Sequence, residues 1–192
     1  MSFHGGFLGV LISGILFGMR KKISLLSLGD LIAFASPPGL FFGRIANFIN
    51  GELWGKPTTS TFGIQFTKGP GQFCQNPNEI PCFRHPSQLY EALFEGIILM
   101  LIFYYLVFVS KTLKKPGIIF GSFLLGYGVI RFAIEFLREP DAFFIRNQNP
   151  YGYVVEIFPG IGISMGQLLT LPMMIFGLLM IILVNRRNLD AN

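Results

Sequence analysis

The chain has 192 residues, 52% of them apolar and 13% charged, with 22 phenylalanines. A soluble domain needs roughly 25% charged residues to cover its surface, so this composition excludes one and points into a membrane. The formal net charge of +5 does not indicate a nucleic-acid partner, because the basic residues sit in short clusters between apolar runs, the pattern of membrane-flanking charge.

Apolar stretches are read in chain order against the roughly 20 residues needed to cross a hydrocarbon core. The first, Phe3 to Met19, is short and glycine-rich. Its positive cluster follows the apolar run, the reverse of a cleavable signal peptide, so it reads as inserted. The second, Ile23 to Phe42, contains Asp30 and the pair Pro37-Pro38, which are expected to kink or end its helix. A polar loop over 44–88 follows, then Leu89 to Val109, with Pro86 suited to the first helical position. Gly117 to Leu137 is the fourth stretch, and Ile163 to Val184 the fifth, with Ser164 as N-cap and Gln167 three residues on.

Arg20-Lys21-Lys22, Lys111 with Lys114-Lys115, and Arg186-Arg187 all fall on the cytoplasmic side if these five stretches cross in alternation. The expected fold is therefore all-α: a polytopic membrane protein of about five transmembrane helices, one domain over 1–192, with no internal repeat and with 44–88 as an outer-face loop. His4, that loop and the loop over 138–162 share the outer face. Cys74 and Cys82 lie in the first of these loops and are too few for a closed zinc site, leaving a disulfide or two free thiols. An oxidising outer compartment favours the disulfide.

The polar residues gather at that same face. His4-Gly5-Gly6 places an imidazole at a helix mouth, as an interfacial anchor or as a functional group. In "GRIANFINGELWG", Gly43 to Gly55, Arg44 and Asn47 share a face of a helical turn, and an arginine fork beside an amide suits a phosphate or carboxylate oxygen. Its glycines read as space for a headgroup and Trp54 as an interfacial anchor. In "RHPSQLYEALFEG", Glu91 reads as a capping or supporting group and Glu95 as packing against a polar neighbour. His85 is a second imidazole that charge alone does not rank against His4. In "GYGVIRFAIEFLREPD", Arg131, Glu135 and Arg138 follow at i, i+4 and i+7 on one stripe of a helix. Charges buried near a bilayer centre cost about 2.5 to 3.5 kcal/mol each, so such residues face a polar cavity or one another. An Arg131 to Glu135 ion pair that only satisfies its partners is the purely structural alternative. An anionic ligand at the outer leaflet is the economical inference, and phospholipid phosphate is the obvious anion at that depth.

"MSFHGG", "GRIANFINGELWG", "RHPSQLYE", "GYGVIRFAIEFLREPDA" and "ISMGQLLTLPM" resemble, in order and almost end to end, the prolipoprotein diacylglyceryl transferase family of the bacterial inner membrane. The resemblance implies transfer of the diacylglyceryl group of phosphatidylglycerol to the lipobox cysteine thiol of a preprolipoprotein, with an active site toward the periplasmic face and no metal or organic cofactor. It implies Arg44 and Arg131 at the developing phosphate, Glu135 fixing Arg131, and His4 as base for the thiol. It also implies Asn47, Glu52 and Gly55 at the glycerol headgroup, with Arg138 as a weaker phosphate or lid candidate. Met1 matches an internal methionine of the family pattern, and the family's further N-terminal part does not precede it here. The cysteine-bearing stretch "TKGPGQFCQNPNEIPCF" lies outside the family signature and reads as a local loop staple. A non-catalytic lipid-binding remnant and an anion transporter are the rival readings; the latter should carry polar residues through both leaflets.

Overall fold

A computed structural model describes residues 3–68, 70–74, 81–140, 143–145, 149, 151–158 and 160–190. Helix α1 is Phe3–Lys21, α2 Leu25–Asn50, α3 Ser87–Val109, α4 Ile118–Ile134 and α5 Met165–Asp190. By length and composition α2, α3 and, over Met165–Arg186, α5 can each cross a membrane, and α4 is a shorter apolar helix. Leu16, Leu101, Leu169 and Ile175 are exposed on these helices. Around a soluble protein so much open apolar surface would be a sticky patch; around apolar helices it is a lipid-facing one.

The core lies where α2, α3 and α4 meet, with Ala33, Leu99, Phe103 and Ile119 buried and Phe34, Phe123, Tyr127 and Ile130 around them. Helices α4 and α5 approach closely through glycines: a Cβ on Gly177 would lie 2.7 Å from the Gly121 carbonyl oxygen, and one on Gly121 would lie 3.0 Å from that of Gly177. Lipid tails are as apolar as leucine, so close van der Waals contact of this kind, rather than a hydrophobic drive, holds membrane helices together.

Pro37 and Pro38 do not end the second helix; α2 runs through them to Asn50 and stops at Gly51, whose left-handed φ of 69° forms the C-cap. Membrane helices tolerate proline because neighbouring groups take up the freed carbonyls. Arg44 and Asn47 therefore stand on the last turns of α2, and the outer loop starts at Gly51, not at residue 44. In the other direction, α4 ends at Ile134 before the expected Leu137. The chain is pulled out of the helix by the segment after α2: Lys56 N–H donates to Leu137 O at 2.9 Å, and Gly55 bridges to Arg138. Arg138 thus leaves the helical stripe that carries Arg131.

Two short antiparallel pairs were not visible in the sequence: β1 (Ile64–Gln65) with β2 (Phe83–Arg84), and β3 (Val155–Phe158) with β4 (Ile161–Ile163). Their short polar-flanked runs carry too little period-2 signal to stand out beside the helices. Cys74 and Cys82 form the expected disulfide within the first outer loop. Trp54 is half-buried, packed against Phe66 with the Arg84 guanidinium 5.9 Å from its ring.

At the opposite end, a Cβ on Gly117 would meet Val184, Met180 and Leu26, so the ends of α2, α4 and α5 beside the basic clusters converge. There the buried Asp30 carboxylate accepts from Gly117 N–H at 2.7 Å and Phe120 N–H at 2.8 Å, capping α4 from a neighbouring helix. Replacing a capping side chain by alanine costs about 0.5–2 kcal/mol. Asp30→Ala is expected at the upper end of that range, read as a lower thermal unfolding midpoint in detergent, because the orphaned amides have no water to turn to.

Candidate functional site

Glu91 and Glu95 stand one turn apart where α3 widens into a π-helical turn over Ala92–Ile98. Both are fully buried. Arg44, from α2, reaches them with Nε 3.2 Å from Glu91 Oε2 and Nη2 3.2 Å from Glu95 Oε2. Arg131, from α4, pairs through Nη1 with Glu91 Oε1 and through Nη2 with Glu135 Oε2 at 2.9 Å. Glu135 in turn accepts from Ser164 Oγ at 3.0 Å. Glu91 is therefore the hub that joins the two arginines, and the network links α2, α3, α4 and the start of α5.

The mouth of α5 is built for its part in this. Ser164 and Gln167 cap each other, Gln167 N–H donating to Ser164 Oγ at 3.3 Å and Ser164 N–H to Gln167 Oε1 at 3.1 Å. This is the reciprocal cap that the spacing predicted. At Gly166 a Cβ would sit 2.6 Å from the Glu135 carboxylate, so glycine is what lets that carboxylate lie over the helix N-terminus, where the helix dipole favours an anion.

Two guanidiniums face three carboxylates in this buried cluster, a formal surplus of one negative charge. Isolated, each of these ions would cost several kcal/mol to bury; paired, they hold one another in place. Arg44 meets the carboxylates through Nε and Nη2, so Nη1 is the part of its fork with no described partner. The arrangement can orient guanidinium forks toward an anion and can offer carboxylate oxygens to hydrogen-bond donors.

The other candidates fall into place around it. The His4 side chain lies outside the described residues. Asn47 shares the last turns of α2 with Arg44, and its carbonyl accepts from Glu52 N–H at 2.9 Å. Glu52 is exposed, and its carbonyl accepts from Gln88 Nε2. Gly55 is a tight joint between segments: a Cβ there would lie 2.6 Å from the His85 and Leu137 carbonyl oxygens, whereas Gly43 has open space around it. His85 is held by its backbone to Lys56, with Nδ1 3.4 Å from the Tyr90 hydroxyl, and belongs to the loop joint more than to the charge cluster. Arg138 lines a cavity together with Lys56, Glu135, Tyr153, Ser164 and Gln167.

Two residues escaped the sequence reading. Buried Arg84 donates to the carbonyls of Gly71 at 3.0 Å, Gly55 at 3.1 Å and Phe73 at 2.9 Å, and pairs with Glu139 at 3.2 Å. It ties the disulfide loop to the segment after α4. Fully buried Gln88 stands one turn before Glu91 on α3. Arg84 carries no partner at helical spacing, and Gln88 is uncharged, so neither gave a signal beyond its residue type.

Residues 1–183 match the family model described as prolipoprotein diacylglyceryl transferase. The chain is similar to proteins named phosphatidylglycerol--prolipoprotein diacylglyceryl transferase. One from Cereibacter sphaeroides is 53% identical over 178 residues, which is 93% of this chain and 60% of the relative. Another from Roseobacter denitrificans is 49% identical over 181 residues, 94% of this chain and 61% of the relative. A third from Rickettsia felis is 48% identical over 177 residues, 92% of this chain and 60% of the relative. The chain thus spans about three fifths of the length of the curated relatives it matches.

Proposed function

The chain belongs to the prolipoprotein diacylglyceryl transferase family, and we propose that it transfers the diacylglyceryl group of phosphatidylglycerol to the lipobox cysteine thiol of a preprolipoprotein at the periplasmic face of the bacterial inner membrane. The observation that carries this reading is the buried network of Arg44, Arg131, Glu91, Glu95 and Glu135 at the end of the helices opposite the basic clusters. A phospholipid headgroup lies at that depth, and guanidinium forks held in fixed planes are suited to its phosphate.

In the proposed reaction the cysteine thiolate attacks the glyceryl carbon next to the phosphate ester. A C–S bond forms, the C–O bond breaks, and glycerol phosphate leaves with the electron pair. Negative charge builds on the phosphate as it leaves, so Arg44 and Arg131 lower the barrier by meeting it, while Glu91 and Glu135 hold Arg131 in register. The thiol proton must first be removed, because the thiolate is the nucleophile. His4 is the proposed base, on the chemistry of imidazole near neutral pH. Asn47 and Glu52, on and just after the last turn of α2, are proposed to border the headgroup.

The anion-transporter reading gains no support. Among the described residues, Asp30 is the buried ionisable group at the basic end of the helices, and both of its oxygens are occupied by backbone amides.

The test is to give the purified protein phosphatidylglycerol and a lipobox peptide and to look for a thioether-linked diacylglyceryl adduct by mass spectrometry. Adduct formation is the expected result, and its absence from folded protein sinks the proposal. Arg44→Ala is expected to slow adduct formation by on the order of 10²-fold, the loss typical of removing one preorganised donor. An unchanged rate in that variant would move the phosphate contact elsewhere.

A further inference from the structure

The charge cluster is short of hydrogen-bond donors. Glu91 Oε2, Glu95 Oε1 and Glu135 Oε2 have no hydrogen-bonded partner, although Glu91 Oε2 and Glu135 Oε2 each lie within ion-pair distance of a guanidinium nitrogen. Gln88, a neutral side chain outside the ion pairs, adds a fourth buried acceptor in the same condition, its Oε1. Buried polar atoms are almost always satisfied, so four unpaired acceptors along this end of the bundle, three of them on α3, call for an explanation. Phosphate cannot supply it, because a phosphate diester brings acceptor oxygens only.

Gln88, Glu91 and Glu95 follow one another down α3, spanning about 10 Å at 1.5 Å per residue. Gln88 touches the loop at the Glu52 carbonyl, where the helix leaves the membrane, and Glu95 lies deeper beside Arg44. A headgroup whose phosphate meets Arg44 lies beside Glu95, which pairs with that arginine, and its hydroxyls are uncharged donors of the kind these acceptors lack.

Resting on the transferase reading above, we infer that Glu95 and Gln88 select the lipid donor by accepting hydrogen bonds from the free hydroxyls of its headgroup. Arg44 and Arg131 answer to the phosphate, which many lipids share; Glu95 and Gln88 answer to the polyol, which few do. A site built to hydrogen-bond a substrate hydroxyl discriminates strongly against an analogue lacking it, because its own buried groups are then left unpaired.

The test compares phosphatidylglycerol with phosphatidylpropanol, which keeps the phosphodiester and loses both headgroup hydroxyls, and with phosphatidylethanolamine. The full chain is incubated with vesicles of each lipid. Retained lipid is measured by mass spectrometry after detergent purification, and adduct formation with the lipobox peptide is measured in parallel. Wild type is expected to retain phosphatidylglycerol about tenfold over phosphatidylpropanol, shared between two hydrogen bonds of about threefold each. Glu95→Gln and Gln88→Met should each cut that ratio to about threefold, Gln88→Met by lowering phosphatidylglycerol retention alone. Gln88→Met leaves the ion pairs intact and decides the matter if Glu95→Gln does not fold. Equal retention of the diol and propanol lipids by wild type, equal retention of phosphatidylethanolamine, or an unchanged ratio in Gln88→Met would overturn the inference. Selective retention without any adduct would instead count against the transferase reading and leave headgroup selection standing.

Discussion

Arg131→Ala is expected to abolish the thioether adduct and to lower the stability of the protein at the same time. Its guanidinium bridges Glu91 on α3 and Glu135 at the end of α4, so alanine leaves two buried carboxylates facing each other without the cation between them. Breaking a buried ion pair by removing one partner typically costs about 3–5 kcal/mol, a large fraction of the net stability of many domains. The proposed rate loss adds at least 10²-fold from the missing electrostatic contact to the phosphate. Arg131→Lys separates the two effects. Lysine restores a charge but, as a single point, cannot span two carboxylates on different helices as a planar fork does. It is expected to recover folded protein while leaving adduct formation strongly reduced. Yield and thermal midpoint in detergent report the first quantity, and the initial rate with phosphatidylglycerol and lipobox peptide reports the second. A wild-type rate in either variant would remove Arg131 from the phosphate.

Glu91→Gln carries the second large effect. Glu91 is fully buried and is the one carboxylate among the described residues that pairs with both arginines. The amide keeps the shape but withdraws the charge, and its NH₂ group must then face one guanidinium as donor against donor. Both forks are expected to lose their orientation, with a rate reduction on the order of 10²- to 10³-fold. The comparison is Glu95→Gln, which touches Arg44 alone and should lose less with phosphatidylglycerol and leave the Arg131 contacts in place. A Glu91→Gln rate equal to that of Glu95→Gln would mean that Glu91 is not the hub of the network.

Much of the site could be read from residue types and spacing. Arg131 and Glu135 are four apart on a helical segment, and they pair as that spacing implies. Ser164 and Gln167 carry their cap in the sequence because both partners lie within one turn. Glu91 and Glu95 could be seen to share a face, but their meaning lay in Arg44 and Arg131, which are 47 and 40 residues from Glu91 in the chain. No local pattern encodes such a pairing. Of the kink or end expected at Pro37-Pro38, the end does not occur: proline rules describe a helix in isolation, and in a bundle neighbours absorb the lost hydrogen bonds. Arg138 shows the same limit, since three residues of turn and a bridge to Gly55 take it off the stripe on which its spacing placed it.

The sequence by itself determined that this is an all-helical membrane protein, where its apolar stretches lie, which ends of them carry positive charge, and which polar residues crowd the other end. These follow from composition and from periods of a few residues, which any solvent boundary reads directly. Only the tertiary structure decided who pairs with whom: Asp30 with the amides of α4, Arg84 with the disulfide loop, and Glu91 between two arginines. The physical reason is that a buried charge is stable only beside its partner, and the partner is supplied by packing between helices distant in the chain.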